Sequence, residues 1–446
     1  MISKKLIIIF LIATATTAVS LNFIVKKKMT NKSTINLGPY EKYENLWQQV
    51  NDFENKGLPE SALKVILEIY EKAKKEENAP QFVKAVIYKL KYNQTKQEFS
   101  QQKNIDELKL EIKNNKFPIK PILQSLLADS YWQYYQANRW QFHNRSQTAQ
   151  FNNDDVATWD LKTIVNETIK LYKASLSESN LLKEVKLDLF DDIINKGTPD
   201  TRKWRPTLYD FLAHRSLDFF KNSEADVTKA AEQFAIKENE YLKPYNDFLK
   251  FNVNAPKDSL ELKYYAINLF KDLYNFNLKT SNLSAVLDLE FERLDFAYSY
   301  SKNELKDSLF LETLNYLQTE FKNSKRVAEV KHRIALYYYN KSSAYVPLQS
   351  DLYKDFKQKA HQICTEITKE YPNTRGAQLA FNTINTITSK ALKLTSEQTN
   401  DVNLPNRVLV NYTNINKLYF KIVKTDYFAH SKLTAKTYGE KLFEKL

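Results

Sequence analysis

The chain has 446 residues, 43% of them hydrophobic, and a net charge of +13. That is enough apolar material for more than one core. Five glycines, about 1% of the chain against an average usage of about 7%, disfavour folds built on tight turns and close backbone approach, such as doubly wound nucleotide folds, propellers or arrays of β-sandwiches. The charge is concentrated at the ends: six Lys and no acid in residues 1–32, and seven Lys and one Arg against three acids in residues 402–446, which leaves +2 for the 369 residues between and argues against a folded nucleic-acid-binding face.

At the N-terminus, Lys4 and Lys5 precede an apolar run from Leu6 to Val25, closed by Lys26, Lys27 and Lys28. A basic start followed by an apolar stretch is an export signal. Ala18-Val19-Ser20 offers a small-x-small cleavage site, while the 20-residue run is also just long enough to span a bilayer, so residues 1–28 read as a signal peptide or an N-terminal membrane anchor. The run has no neighbouring cysteine and is not a lipoprotein signal. The expected location is the cell envelope, facing the periplasm, with membrane contact only through residues 6–25.

Residues 40–398 read as helix pairs. In 58–75, Ala62, Val65, Ile66, Ile69, Tyr70 and Ala73 recur at three- and four-residue steps on one helical face, and Pro59 suits a first turn. Ile122, Leu123, Leu126, Leu127, Tyr131, Tyr134 and Tyr135 do the same in 119–137, as do Phe356, Ala360, Ile363, Cys364, Ile367 and Tyr371. A weak repeat links two joints: Phe321-x-Asn323-Ser324-Lys325 recurs fifty residues on as Tyr371-x-Asn373-Thr374-Arg375, with Leu314 and Leu317 matching Cys364 and Ile367. In both copies an aromatic residue ends one helix and the polar pair caps the next. Helix pairs that cannot bury their stripes alone stack on neighbours. The expected fold is therefore mostly α, a divergent tetratricopeptide-like helical-repeat array.

No catalytic constellation is visible. His143, His214, His332, His361 and His430 share no metal-ligand spacing, and no glycine-flanked serine elbow occurs. Asp154–Asp155 and Asp191–Asp192 read as caps or solvated faces, and Asp351 as surface. The lone Cys364 excludes an intramolecular disulfide and lies on an apolar stripe, so it reads as core. No cofactor or metal is expected. The segment 130–160 is dense in aromatics; Trp132, Arg139, Trp140, Arg145 and Trp159 form a candidate partner-binding set, since aromatics beside Arg give large contact areas. The plainer reading is a helix-pair core under a long ordered loop.

Near residue 400 the pattern becomes β-branched and aromatic. Val408, Val410 and Tyr412 alternate with Leu409 and Asn411, and Leu418, Phe420 and Ile422 alternate with Tyr419, Lys421 and Val423, so 402–424 predicts two strands joined across Thr413–Lys417. A lone hairpin is marginal in water.

Several stretches in order resemble the N-terminal region of the large alpha-2-macroglobulin-like envelope proteins of Bacteroidetes-type bacteria: LWQQV (46–50), LPESALKVILEIYEKAKKE (58–76), YWQYYQANRWQFHNR (131–145), TWDL (158–161), RPTLYDFLAHRSLDFF (205–220), YPNTRGAQLAFN (371–382) and LPNRVLVNYTNINKLYFKIVK (404–424). The resemblance implies a helical region that precedes a row of macroglobulin β-sandwich domains, in proteins that trap proteases in the periplasm. It implies that 402–446 is the incomplete start of the first such domain. The family's thioester pattern, Cys-x-Glu-Gln after Gly, is not met by Cys364-Thr365-Glu366-Ile367. The later domains and any bait region are absent from these residues, so trapping is not expected of them alone. The chain is expected to be non-catalytic, either a fragment or truncated product with protease or envelope-protein partners or a free-standing adaptor for proteins or peptides. A helical-toroid hydrolase would require paired carboxylates in a cavity.

Overall fold

The computed structural model describes residues 41–94, 100–142, 155–198, 200–225, 234–346, 348–397, 404–420 and 426–434. The N-terminal apolar run, Arg145, His143, Asp154 and the terminal YGEKLFEKL lie outside the described residues. Two compact units divide between Phe310 and Leu311.

The first unit is helical. It begins with α1 (Glu41–Asn55), α2 (Pro59–Lys75), α3 (Ala79–Gln94), α4 (Ser100–Asn114), α5 (Ile119–Ala137) and the single turn α6 (Arg139–Phe142). Each of α1 to α5 packs on the next, because short links force neighbours to run back along one another. Gly57, at φ +66°, reverses the chain after α1 and lets the Leu58 N–H reach back to the Phe53 carbonyl at 2.9 Å. The buried residues of α2 are Ala62, Val65, Ile66, Ile69, Tyr70 and Ala73, the face that the spacing specifies, and Pro59 occupies its first turn. In α5 the buried face includes Ile122, Leu123, Leu127, Tyr131 and Tyr135, but it also takes in Ser125, Ala128 and Trp132, while Leu126 and Tyr134 are only half-buried. That wider face follows from an additional neighbour: α3, α4 and α7 (Leu161–Ser175) all pack on α5.

After α7 come α8 (Ser179–Glu184), α9 (Thr201–Trp204), α10 (Leu208–Phe220), α11 (Tyr245–Lys250), α12 (Leu262–Lys279) and α13 (Leu283–Tyr300). A full capping box starts α10, with Thr207 and Asp210 exchanging side-chain and backbone hydrogen bonds. At the centre of α12 and α13 lies a wholly buried polar knot. Arg293 and Glu290 form an ion pair at 2.9 Å, both side chains fully enclosed. Arg293 also donates to the Tyr241 and Lys243 carbonyls at 2.5 and 2.7 Å, Tyr274 donates to Glu290, and the Tyr245 N–H donates to Glu290 at 3.1 Å.

The second unit holds most of α14 (Lys306–Glu320), then α15 (Val327–Lys341), α16 (Phe356–Glu370), α17 (Arg375–Thr388), a two-stranded antiparallel sheet and α18 (Tyr427–Thr434). The helices α15, α16 and α17 pack mutually around Ala328, Ala335, Cys364, Ile367, Ala377 and Ala380. Leu314, Leu317, Cys364 and Ile367, matched in the sequence repeat, are all fully buried. At the second joint Thr374 Oγ1 caps α17 by accepting from the Ala377 N–H at 3.1 Å, whereas at the first Ser324 Oγ accepts from the Arg326 N–H at 3.2 Å, one residue before α15 begins, so the expected side-chain cap forms after Tyr371 and not after Phe321.

The sheet differs from the expected one. Its strands are β1 (Ala391–Ser396) and β2 (Val408–Thr413), in the register Leu392↔Tyr412 and Leu394↔Val410. Residues Leu418–Phe420 carry no strand, and 421–423 lie outside the described residues. The reason is local. Asn414, at φ +54°, ends β2, and its side-chain amide donates to the Ile387 and Ser389 carbonyls at 2.7 and 2.8 Å, filling acceptors left open at the end of α17. With the predicted turn fastened there, β2 pairs upstream instead. The β character therefore begins at 391, inside the stretch expected to be helical.

Candidate functional site

The aromatic segment was the candidate surface from the sequence. In the aromatic segment, Trp132 and Trp159 are buried. Trp132 stacks on Tyr135 with centroids 4.8 Å apart and meets Phe219 edge-on at 5.3 Å, and Trp159 lies 4.9 Å from Tyr131. Their ring faces are used in packing, so neither offers contact area to a partner. Arg139 grips Glu224 with two hydrogen-bonded contacts, at 2.6 and 2.7 Å. Trp140 is 71% exposed beside it. Of the five residues, then, Arg139 and Trp140 come together at the surface, Trp132 and Trp159 go to the core, and Arg145 lies outside the described residues.

The two-stranded ribbon is the more unusual surface. In an antiparallel pair, residues directly opposite share a face, and residues two apart on one strand share it too. The register therefore gathers Leu392, Leu394, Val408, Val410 and Tyr412 on one face, with Lys393, Thr395, Leu409 and Asn411 on the other. Every residue of β1 is exposed, and in β2 only Val410 is half-buried. Leu392, Leu394, Val408 and Tyr412 are 49, 52, 50 and 61% exposed. Buried apolar surface is worth roughly 25 cal/mol per Å², so an apolar face left in water forfeits what a covering surface would return. The β2 half of this ribbon was legible from its alternation. The β1 half was missed, although Leu392 and Leu394 alternate with Lys393 and Thr395, because six residues directly after a helix make a short signal.

The other chemistry-bearing residues are mostly structural. Asp155 caps a 3-10 turn by accepting from the Ala157 N–H at 2.9 Å. Asp191 pairs with Arg202 and Lys196, and Asp192 accepts from Gln81 at 3.2 Å. Asp351 makes an exposed pair with Lys354 at 3.2 Å. His332 is buried and bonded to Thr383 at 2.9 Å, and burial pushes its pKa down to about 4. Among the described residues no three His, Cys, Asp or Glu side chains gather as a metal site, and no helix is long and apolar enough to cross a membrane.

Cys364 is fully buried, and burial pushes its thiol up to about 11. The thiolate is the reactive form. Cys364 is therefore expected to react with a disulfide reagent such as DTNB only as the second unit unfolds. Labelling at pH 8 should rise with urea in step with loss of helical circular dichroism. Full labelling of the native protein within minutes would contradict the packing described.

No family model, no curated protein and no solved structure matches this chain.

Proposed function

We propose that the chain is a non-catalytic helical scaffold whose working surface is the C-terminal ribbon, and that the ribbon is made to be covered by further β-structure. The observation that carries this reading is the row of Leu392, Leu394, Val408, Val410 and Tyr412 on one face of a sheet that has two strands among the described residues. The sequence resemblance to alpha-2-macroglobulin-like envelope proteins supplies the kind of covering domain, a macroglobulin β-sandwich. In this reading the stacked helices are divergent tetratricopeptide-like pairs, the N-terminal apolar run takes the protein to the cell envelope, and the partners are proteins. Protease trapping belongs to the assembled protein and not to the helical scaffold. An adaptor that stands alone is the second reading, favoured by the exposed Trp140 beside Arg139.

The test is hydrogen exchange. In the chain by itself the amides of β1 and β2 should exchange within minutes at pH 7, while those of α15, α16 and α17 are protected, since an isolated pair of strands is marginal. Adding a purified bacterial macroglobulin-type β domain should slow exchange across 391–396 and 408–413 at least tenfold. A Leu392→Lys/Leu394→Lys variant, which changes only the apolar face, should lose that protection yet melt with the wild type, because surface changes usually alter stability by no more than about 0.5 kcal/mol. Ribbon amides as protected as the helices before any domain is added, or no change on its addition, would overturn the reading.

A further inference from the structure

A cavity of about 470 Å³ opens in the first unit among α8, α10 and α12. Small-molecule sites usually enclose about 300–1,000 Å³. Its polar lining includes Lys183 from α8, Tyr209 from α10 and Asp272 from α12. Lys183 is half-buried and Asp272 is exposed, so a solute in the cavity can reach both.

Neither charge is matched by the protein. Lys183 Nζ sits over the Tyr209 and Phe276 rings, 4.5 and 5.3 Å from their centroids, and pairs with no carboxylate among the described residues. The two rings meet edge-on at 5.4 Å and form a fixed seat under the ammonium. Asp272 makes no hydrogen bond or ion pair among the described residues. Lost solvation lifts its carboxyl above the usual value, against the pull of Lys183, so the two charges feel each other without forming a pair. Tyr209 is 3% exposed, and its hydroxyl also makes no hydrogen bond among the described residues, yet it is not sealed from solvent. Burial, and then the charges of Asp272 and Asp210, hold its pKa well above the usual tyrosine value, so it keeps its proton and can donate. A nearly buried hydroxyl without a partner is uncommon in native proteins.

The wall therefore presents two donors that call for an anionic acceptor, and a separate carboxylate that calls for a cation. A neutral solute would strip water from both charges and replace none of it. A simple ion would match one charge and leave the other. A molecule that carries both charges matches the pair, and Leu176, Leu269 and Phe276 in the same lining suit an apolar side chain.

We propose that this cavity binds a small zwitterion with an apolar side chain, its carboxylate accepting from Lys183 Nζ and Tyr209 Oη and its ammonium donating to Asp272. Two sources supply that chemistry, a free amino acid or a dipeptide, and the side-chain amides of Asn180 and Asn275 would meet the peptide bond of the second. The site is separate from the ribbon and does not depend on the scaffold reading.

Titration calorimetry of the full chain at pH 7 tests it, with leucine and leucyl-leucine as probes. Saturable heat is expected from at least one, and the tighter binder identifies the source. N-acetyl-leucine amide, which has neither charge, should give none. Lys183→Met and Asp272→Asn should each weaken binding about tenfold or more, the scale of one hydrogen bond to a charged group. Tyr209→Phe, which removes only the hydroxyl, should weaken it about fivefold. Neither charge variant breaks an ion pair among the described residues, so both should keep the wild-type circular dichroism, and if one fails to fold the other decides. No saturable heat from either zwitterion, equal binding of the neutral amide, or unchanged affinity in a folded charge variant would each overturn the proposal.

Discussion

Replacing Arg293 with methionine is expected to destabilise the first unit by about 3–5 kcal/mol, the range for breaking one partner out of a buried ion pair. Glu290 would be left fully enclosed with its charge uncompensated, and the Tyr241 and Lys243 carbonyls would lose the donors they now have at 2.5 and 2.7 Å. The informative comparison is the double variant Glu290→Leu/Arg293→Met. Swapping a buried pair for apolar residues is often neutral or stabilising. Here it should not be, because the pair satisfies the Tyr245 N–H and the Tyr274 hydroxyl as well as the two carbonyls. Each orphan costs about 1–3 kcal/mol, which outweighs the gain from removing the charges. Urea unfolding followed by circular dichroism reads both variants. A double variant as stable as the wild type would show that the pair, and not its backbone partners, dominates.

Gly376→Ala should weaken the second unit by about 3 kcal/mol, the upper part of the usual range for overpacking. A Cβ placed on Gly376 would stand 2.4 Å from the Ala328 carbonyl carbon and 2.7 Å from its oxygen. Those are backbone atoms of α15, so no rotamer change relieves the clash; α17 and α15 must part, opening the cluster around Cys364. Ala328→Gly removes the Cβ contact at 2.6 Å but leaves the backbone in place, so it should rescue the variant only in part. The midpoint of Cys364 labelling in urea measures the loss in this unit specifically. An unchanged midpoint in Gly376→Ala would mean that the two helices do not approach as closely as described.

The parts of the fold that were legible in advance share a cause. The buried stripe of α2, the core position of Cys364 and the cap after Tyr371 follow from spacing within a few residues, and a helix repeats its face every 3.6 residues whatever lies around it. The candidate sites were less legible. Trp132 and Trp140 stand in neighbouring helices with similar flanks, yet one packs on Phe219 and the other faces water. Arg205, His214 and Glu292 have no shared motif, and only folding brings them together.

By itself the sequence determined that this is a mostly helical protein, where its apolar stripes run, and that β character enters near the C-terminus. Only the tertiary structure decided that β2 pairs with residues 391–396, that Arg293 and Glu290 meet inside the first unit, and which tryptophans are covered. Helical periodicity is written in neighbouring residues, whereas strand pairing, ion-pair burial and side-chain exposure depend on partners that folding brings from elsewhere along the chain.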